Sequence, residues 1–443
     1  MKLLLRFFSY YRPYKALFFV DFCCAVAAAA LELGFPIAVN LVVDRLLPTG
    51  DWQIILWACI GLVVLYFTSM LLNFVVMYWG HKLGINIETD MRKQLYAHMQ
   101  KLSFRFFDNN KTGHMISRLT TDLFEIGEVA HHGPEDLFIA IMTLMGAFML
   151  MLYLNWKLAL ITFVLIPIIV WLVLAANKRM TKAIDRMYRD IADFNARVED
   201  SVGGIRVVQA FANEKHEREL FEVNNLRFRE AKILQYKIMG VNLSISYFLM
   251  RFISVFVLVS GAYFIINAEL TTGEFVGFLL LTNVFFRPIE KINAIIESYP
   301  KGIAGFKRFV EIMDTEPDVA DAPDAVEPGS LRGDIVYENV SFGYENGRRV
   351  LSGIHLSVRA GETVAFVGPS GAGKTTLCSL LPRFYEVSEG RITIDGIDIR
   401  KMTLHSLRRQ VGVVQQDVFL FSGTLRENIA YGKLGATDAE IME

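Results

Sequence analysis

Six apolar segments, each close to the length of a membrane-spanning helix, dominate the sequence up to residue 289. They lie at approximately residues 16–43, 54–79, 137–154, 158–176, 243–266 and 275–289. In hydrocarbon, every backbone polar group has to be satisfied within the segment, so apolar runs of this length predict α-helices. The chain is 53% hydrophobic and has a mean hydropathy of +0.36, which is typical of bilayer-embedded proteins. The sequence therefore predicts a multi-pass membrane protein.

Basic residues are concentrated in two long connections, 80–134 and 177–240. The opposite connections hold little positive charge beyond Arg45 and Lys157. The positive-inside bias therefore predicts a cell-membrane protein whose long connections, N-terminus and C-terminal part are cytoplasmic. The net charge of −1 gives no reason to expect a nucleic-acid partner.

Both long connections carry apolar residues at helical spacing. Leu83, Ile87 and Met91 begin such a series in the first connection, and a similar series in the second ends at Gly203 and Gly204. The transmembrane helices are therefore predicted to continue into the cytosol as hairpins. We expect residues 1–17 to form an amphipathic helix at the membrane surface.

The stretch TVAFVGPSGAGKTT, residues 363–376, contains the pattern G-x-x-x-x-G-K-T of a phosphate-binding loop, or Walker A motif. It predicts a short buried strand at Val364–Val367, then the loop, then a helix from Lys374. Glycines let backbone N–H groups face a polyphosphate, Lys374 is placed to reach the outer phosphates, and the Thr375 hydroxyl to bind Mg²⁺. The alternative is a glycine-rich turn between a strand and a helix. The predicted cofactors are ATP and Mg²⁺, and the predicted nucleotide-binding residues here are Gly368, Pro369, Ser370, Gly371, Ala372, Gly373, Lys374, Thr375 and Thr376.

Residues 314–330 are rich in Asp, Glu and Pro, which is typical of a linker. Strand-like segments follow at 335–340, 353–358 and 391–394. The predicted domains are therefore a transmembrane domain at 1–313, the linker at 314–330 and a nucleotide-binding domain at 331–443. The predicted fold class is a six-helix transmembrane domain with long cytosolic helical extensions, followed by a partial α/β P-loop NTPase domain.

Several segments together resemble an ABC exporter half-transporter of the multidrug and lipid type. LSFRFFDNNKTGHMISRLTTD (102–122) and GGIRVVQAFANEKHE (203–217) resemble its two intracellular coupling loops. VSFGY (340–344) resembles the segment with the adenine-stacking tyrosine, and VGVVQQDVFLFSGTLRENIAYG (411–432) the glutamine-loop region. The resemblance covers nearly the whole chain.

The resemblance implies roles for particular residues. Tyr344 would stack on adenine, Gln416 would bind Mg²⁺ and position water near the γ-phosphate, and Lys374 would serve catalysis. The implied activity is ATP-driven export of a hydrophobic or amphipathic, drug-like or lipid-like substrate. It would proceed by alternating access of a dimer with a second half-transporter in the bilayer.

In this family the signature loop, the Walker B aspartate, the catalytic glutamate and the switch histidine follow the glutamine loop. The sequence stops at Glu443 before that stretch, so we expect these 443 residues alone to lack ATP hydrolysis. The alternative function is an ATP-binding regulatory or nucleotide-gated membrane protein without turnover. Asp395 and Asp398 are interpreted as surface turn residues rather than substitute catalytic carboxylates.

Two further expectations concern where the loop tips and three charged residues lie in the folded protein. The tips Thr112–Arg118 and Ala210–His216 should touch a nucleotide domain, most plausibly near the glutamine loop, with Phe211 as an anchor. The charged residues Asp21, Glu32 and Arg251 should face the bundle interior or an aqueous cavity, because charge is costly in lipid.

Overall fold

The computed structural model describes residues 2–344, 349–414 and 418–443. These residues form two compact units. The first comprises Met1–Gln94 and Ser117–Val310, and the second comprises Leu95–Ile116 and Glu311–Glu443. The segment Leu95–Ile116, which follows the second apolar segment, therefore packs with the C-terminal part of the chain.

Helices make up nearly all of the chain as far as residue 313. In chain order they are α1 (Lys2–Ser9), α2 (Lys15–Leu41), α3 (Trp52–Met99), α4 (Phe104–Asn109), α5 (Thr112–Ser117), α6 (Leu123–Leu154), α7 (Trp156–Gly203), α8 (Ile205–Ala210), α9 (Glu214–Ile266) and α10 (Thr272–Met313).

Among the described residues, four helical stretches are long and apolar enough to cross a membrane. They are Arg12–Thr49, Trp52–Met99, Thr112–Leu154 and Glu214–Ile266, and shorter apolar helical segments cover Trp156–Leu165 and Thr272–Val284. Helices were predicted at all these places, and helices are found. The count of six spans stays a prediction.

The long helical extensions predicted from helical spacing are confirmed as continuous helices. α3 has 48 residues and ends at Met99, and α7 has 48 residues and ends at Gly203, where the glycine pair was expected to break it. The predicted hairpin between the third and fourth apolar segments is also present. Its turn is Asn155, whose side chain accepts a hydrogen bond of 2.9 Å from the N–H of Leu158 and so caps α7.

The helical core of the first unit is built where α6, α7, α9 and α10 meet. Leu158, Val257, Phe278 and Leu281 are all fully buried there. Many apolar side chains of α3 are instead exposed, as Trp57 and Phe74 are. Such outward apolar surface is what a helix needs in order to face lipid.

The helix predicted at residues 1–17 forms only at Lys2–Ser9, because a turn at Tyr10 and Tyr11 and a 3-10 helix at Arg12–Tyr14 separate it from α2. Phe7 packs edge-on against Phe306 with ring centroids 5.3 Å apart, and the Tyr11 hydroxyl donates to the carbonyl oxygen of Ala130 at 2.6 Å. Leu4 and Leu5 stay exposed on the opposite face. α1 is therefore anchored on α6 and α10 by one face and presents an apolar face outward.

The three charged residues expected in the bundle interior or a cavity have different environments. Asp21 is only 2% exposed, and Glu32 lines an internal cavity, as expected. The side chain of Arg251 is exposed in this single chain, and its placement toward an aqueous cavity stays a prediction. Its guanidinium lies 5.3 Å from the ring centroid of Tyr247, and this cation–π contact is satisfied at the surface.

The second unit contains a four-stranded antiparallel sheet in the order β2-β1-β3-β4. The strands are β1 (Ile335–Gly343), β2 (Arg349–Val358), β3 (Glu389–Ile394) and β4 (Ile397–Asp398), so the three predicted strands are confirmed. The short helices of this unit are α11 (Lys374–Leu380), α12 (Leu404–Gln410), α13 (Leu425–Ala430) and α14 (Asp438–Met442). Val340, Phe342 and Leu380 are fully buried between the sheet and α11.

The strand predicted at Val364–Val367 is not formed, and that prediction was wrong. Val367 is 93% exposed and Phe366 is 38% exposed. A buried strand requires neighbours for its backbone hydrogen bonds, and none of the described strands pairs with this segment. Hydrophobicity alone therefore did not suffice to make it a strand.

The interpretation as a turn residue is confirmed for Asp395, but it is wrong for Asp398, which is the last residue of β4 and caps the 3-10 helix that follows. Asp395 lies in the turn between β3 and β4, and its carboxylate accepts hydrogen bonds from the backbone N–H groups of Arg332 (2.6 Å) and Asp334 (2.9 Å). Asp398 accepts a bond of 2.9 Å from the N–H of Arg400. Both carboxylates organise the backbone locally.

Candidate functional site

The glycine-rich loop leads directly into α11, as the sequence predicted. Gly373 precedes the helix with a φ of +90°, a conformation that L side chains rarely adopt. A Cβ at this position would also lie 2.8 Å from Cδ2 of Leu351 on β2. Glycine is therefore required both by the backbone and by the close approach of the loop to the sheet.

Lys374 is held across its own loop. Its Nζ donates hydrogen bonds of 2.9 Å to the carbonyl oxygens of both Gly368 and Pro369. The ammonium charge therefore lies within the loop rather than out in solvent. Thr375 is exposed at the end of the loop, whereas Thr376 is buried. An ammonium, a hydroxyl and glycine-rich backbone form a donor set that suits a polyphosphate with its Mg²⁺.

Tyr344 lies beside this loop although it is 32 residues away from it in sequence. Its hydroxyl is 3.2 Å from Oγ1 of Thr376, and its ring remains 40% exposed. Phe342 and Tyr385 support the ring edge-on, at centroid distances of 5.0 and 5.5 Å. The structure thus brings Tyr344 and the loop together and leaves the ring accessible for stacking.

Gln416, expected to contact Mg²⁺ and the γ-phosphate, lies outside the described residues, as does its neighbour Gln415. Its role and its distance from the loop stay predictions.

Helix α4 contacts the same unit right next to Tyr344. Phe104 stacks on Phe384, with centroids 4.2 Å apart and an interplanar angle of 26°. The Tyr385 hydroxyl donates a 2.6 Å hydrogen bond to Asp108. Burial and the Asp108 carboxylate both raise the pKa of Tyr385, so it remains a protonated donor at neutral pH.

Three polar contacts tie the same segment to the chain that follows α10. Ser103 donates to Asp318 at 3.2 Å, and the Arg105 guanidinium lies 3.5 Å from the same carboxylate. The His98 ring donates to the carbonyl oxygen of Thr315 at 3.1 Å. Aromatic and polar contacts therefore both hold segment 95–116 to the rest of the second unit.

The sequence predicted contact between the first tip and the nucleotide domain, and Leu95–Ile116, which includes the start of that tip, packs in one unit with Glu311–Glu443. The contacts described come from α4, upstream of Thr112–Arg118, and they reach Phe384 and Tyr385. Sequence reasoning missed these residues because partners 277 positions apart leave no local pattern. For the second tip, Phe211 is 71% exposed, and its role as an anchor stays a prediction.

The first unit contains a cavity of about 420 Å³ between α2, α3 and α10. Its lining combines aromatic and aliphatic side chains with polar ones. Phe35 and Tyr66 have ring centroids 4.5 Å apart, and Glu32, Asn73 and Asn283 add polar atoms. This mixture is suited to a ligand that has both an apolar body and a polar group.

Comparison with known proteins matches both parts of the chain. The model of the ABC transporter transmembrane region matches residues 18–289, and the ABC transporter model matches residues 351–443. The chain is 63% identical to the uncharacterized ABC transporter ATP-binding protein YwjA of Bacillus subtilis (strain 168), over all of this chain and 77% of that protein. It is 32% identical to an ATP-dependent lipid A-core flippase of Syntrophus aciditrophicus, over all of this chain and 74% of that one.

A solved structure is also similar. A bacterial Atm1-family ABC exporter with ATP bound gives a TM-score of 0.76 at 27% identity, covering 96% of this chain and 75% of that one.

Proposed function

Because this chain belongs to the ABC transporter family, as an exporter-type transmembrane domain fused to a nucleotide-binding domain, we propose that it exports an amphipathic, drug-like or lipid-like substrate with energy from ATP. ATP binding and an ATPase activity coupled to transport are properties of the family to which both matched regions belong. The observation that carries the proposal is the pairing of an accessible Tyr344 ring with the Lys374 loop in the second unit. The first unit contains a cavity lined by both polar and apolar side chains.

Lys374 acts as a point charge for the outer phosphates, and its two carbonyl partners on the loop keep it positioned before nucleotide arrives. Tyr344 holds the adenine by its ring face. Thr375 and Gln416 would hold Mg²⁺, which neutralises charge on the phosphates.

Helix α4 carries the response to the transmembrane helices. Phe104 and Asp108 contact Phe384 and Tyr385, and Tyr385 in turn supports Tyr344. α4 follows α3, a single helix that runs from Trp52 to Met99. A shift of the Tyr344–Tyr385 pair upon nucleotide binding would therefore pass to α4 through these non-covalent contacts and from α4 along the chain into α3.

The substrate class follows from the lining of the 420 Å³ cavity. Phe35 and Tyr66 offer flat apolar surface, and the carboxyl group of Glu32 offers an acceptor for a hydrogen-bond donor or a cation. An amphipathic cation or a phospholipid with an amine headgroup fits this combination.

We further propose that the protein lies in the cell membrane with its N-terminus and nucleotide-binding domain in the cytoplasm, where ATP is available. It would work as a dimer with a second half-transporter, identical or different. The basic connections 80–134 and 177–240 support this orientation.

Inside-out membrane vesicles that contain the full-length protein, with its signature loop and catalytic glutamate, test the proposal. We expect ATP to drive uptake of a rhodamine-type cationic dye or of a fluorescent phosphatidylethanolamine. The Lys374→Ala variant should lose both uptake and tight ATP binding, whereas the matched variant Lys433→Ala, at an exposed lysine, should retain both.

Two results would contradict the proposal. Uptake of neither probe above the Lys374→Ala level would exclude this substrate class. Passive flux of probe triggered equally by ATP and by a non-hydrolysable analogue would instead indicate a nucleotide-gated protein.

A further inference from the structure

A cluster of histidine and carboxylate side chains lies inside the first unit, apart from the nucleotide site. Asp21 is on α2, His81 is on α3, and His131, His132 and Glu135 are on α6. Two groups of three within it have ligand atoms no more than 4.8 Å apart: His81 with His131 and His132, and Asp21 with His131 and Glu135. Because His131 belongs to both groups, the five side chains form one cluster.

The buried half of this cluster has polar atoms without hydrogen-bond partners. Asp21, His131 and Glu135 are 2%, 6% and 4% exposed. Among the described residues, Oδ1 of Asp21, Nδ1 of His131 and Oε2 of Glu135 have no hydrogen-bond partner. Leaving such buried atoms unpaired is costly, so their convergence points to a ligand that satisfies them together.

The other two histidines are oriented as metal ligands usually are. Nδ1 of His81 donates to the carbonyl oxygen of Met77 at 2.7 Å, and Nδ1 of His132 lies 3.1 Å from Asp136, which also pairs with Lys291 at 2.6 Å. An imidazole that donates one N–H to a carbonyl or carboxylate presents the lone pair of its other nitrogen. Nε2 of His81 is therefore left as an acceptor, whereas Nε2 of His132 lies 3.9 Å from the carboxylate of Glu128 and would have to turn from it to bind a metal.

Gly80 fixes the position of the central ligand. A Cβ at Gly80 would lie 1.9 Å from Cε1 of His131, so the imidazole packs directly on the backbone of α3. A cavity of about 150 Å³ that is lined by Glu135, Lys291 and Glu32 reaches the cluster from the side. The site is thus both shaped and accessible.

We propose that Asp21, His131 and Glu135, with His81 and His132, bind a divalent first-row transition-metal ion such as Zn²⁺. Imidazole and carboxylate ligands suit such ions, and two buried carboxylates match a charge of 2+. A tetrahedral ion takes four ligands, so Asp21, His131 and Glu135 would supply three and the imidazole of His81 or His132 the fourth. A bound ion would tie α2, α3 and α6 together.

Calorimetric titration of the purified protein with Zn²⁺, without a polyhistidine tag, tests the proposal. We expect about one Zn²⁺ per chain, and an X-ray absorption spectrum with nitrogen and oxygen neighbours at about 2.0–2.2 Å, including histidine. His131→Ala and Glu135→Gln should weaken binding at least about tenfold. The control His216→Ala removes an exposed histidine and should bind like the parent.

Gly80→Ala provides a second test because it keeps every ligand and only displaces the His131 ring. We expect it to weaken Zn²⁺ binding as well, while the thermal unfolding of the metal-free protein shows whether the fold is intact. Failure of the parent protein to bind Zn²⁺, Mn²⁺ or Co²⁺ overturns the proposal whatever the variants do. Binding that is equal in His131→Ala and His216→Ala also overturns it.

Discussion

The hydroxyl group of Tyr385 donates a hydrogen bond of 2.6 Å to the carboxylate of Asp108, across 277 positions of sequence. The Tyr385 ring also lies 5.5 Å from that of Tyr344, whose hydroxyl is 3.2 Å from Thr376 in the candidate nucleotide site. One side chain therefore contacts both helix α4 and the tyrosine that we expect to stack on adenine. The predictions below start from this arrangement.

Tyr385→Phe removes the bond to Asp108 and retains the ring contacts. We expect the unfolding free energy to fall by about 1 kcal/mol, since a hydrogen bond to a charged group is lost at a partly exposed position. ATP affinity should stay the same, while ATP-driven uptake of the dye into vesicles should fall. The exposed Tyr153→Phe is the matched control. Parental uptake by Tyr385→Phe would show that this bond has no part in coupling.

Two substitutions at Tyr344 distinguish stacking of its ring on adenine from hydrogen bonding by its hydroxyl group. Tyr344→Phe should bind ATP almost as the parent does, whereas Tyr344→Ala should lose about 1–3 kcal/mol of binding free energy, the range for stacking of a base on an aromatic ring. Binding of inorganic tripolyphosphate should be the same in all three proteins, because it contains no base. A parallel loss of tripolyphosphate binding in Tyr344→Ala would mean that the ring supports the loop rather than the adenine.

Phe211 follows α8 and is 71% exposed, which is unusual for a large aromatic at the tip of a helical hairpin. If it anchors a nucleotide domain, Phe211→Ala in the full-length protein should uncouple ATP hydrolysis from dye uptake and leave ATP binding intact. Val223→Ala, at an exposed apolar position on α9, provides the control. Unchanged uptake in Phe211→Ala would identify the tip as merely solvated.

The carboxyl group of Asp395 predicts how the stability of the folded protein depends on pH. Backbone N–H groups of residues 334, 332 and 333 lower the pKa of its carboxyl group in the folded protein. The ionised Asp395 carboxylate therefore stabilises the folded protein at pH values above about 3.9, which is the pKa of Asp in the unfolded chain. This stabilisation is lost as the pH falls through the lower pKa of Asp395 in the folded protein.

Asp395→Asn is the suitable variant, since residue 395 has a φ of +52° and Asn tolerates that conformation. We expect it to unfold at a lower temperature than the parent at pH 7, with the difference narrowing as the pH is lowered below about 4. Asp438→Asn, at an exposed site, serves as the comparison. A difference in unfolding temperature that does not change with pH would indicate that the Asn side chain destabilises the protein for steric reasons rather than through loss of charge.

The local features of the chain were predictable from sequence because local interactions determine them. The spacing of Leu83, Ile87 and Met91 predicted that α3 extends beyond its apolar segment, and all three are fully buried. The glycine pair at 203 and 204 marked the end of α7, and the loop before Lys374 was recognisable from its glycines. Hydrophobic periodicity, caps and turns are encoded within a few neighbouring residues.

Contacts between distant residues depended on the tertiary structure. The segment at Val364–Val367 has the apolar sequence of a strand, yet strand formation also requires partners, which the sequence of four residues cannot supply. Asp108 and Tyr385 carry no motif that relates them, and neither do Asp21 and His131.

By itself, the sequence determined the membrane-embedded helical architecture, the phosphate-binding loop and the turn role of Asp395, because each arises from a short stretch of residues. The tertiary structure alone decided that α4 meets Tyr385 and that Asp21, His81, His131, His132 and Glu135 converge. Those side chains become neighbours only when helices far apart in sequence pack together, and the free energy of that packing is distributed over the whole unit.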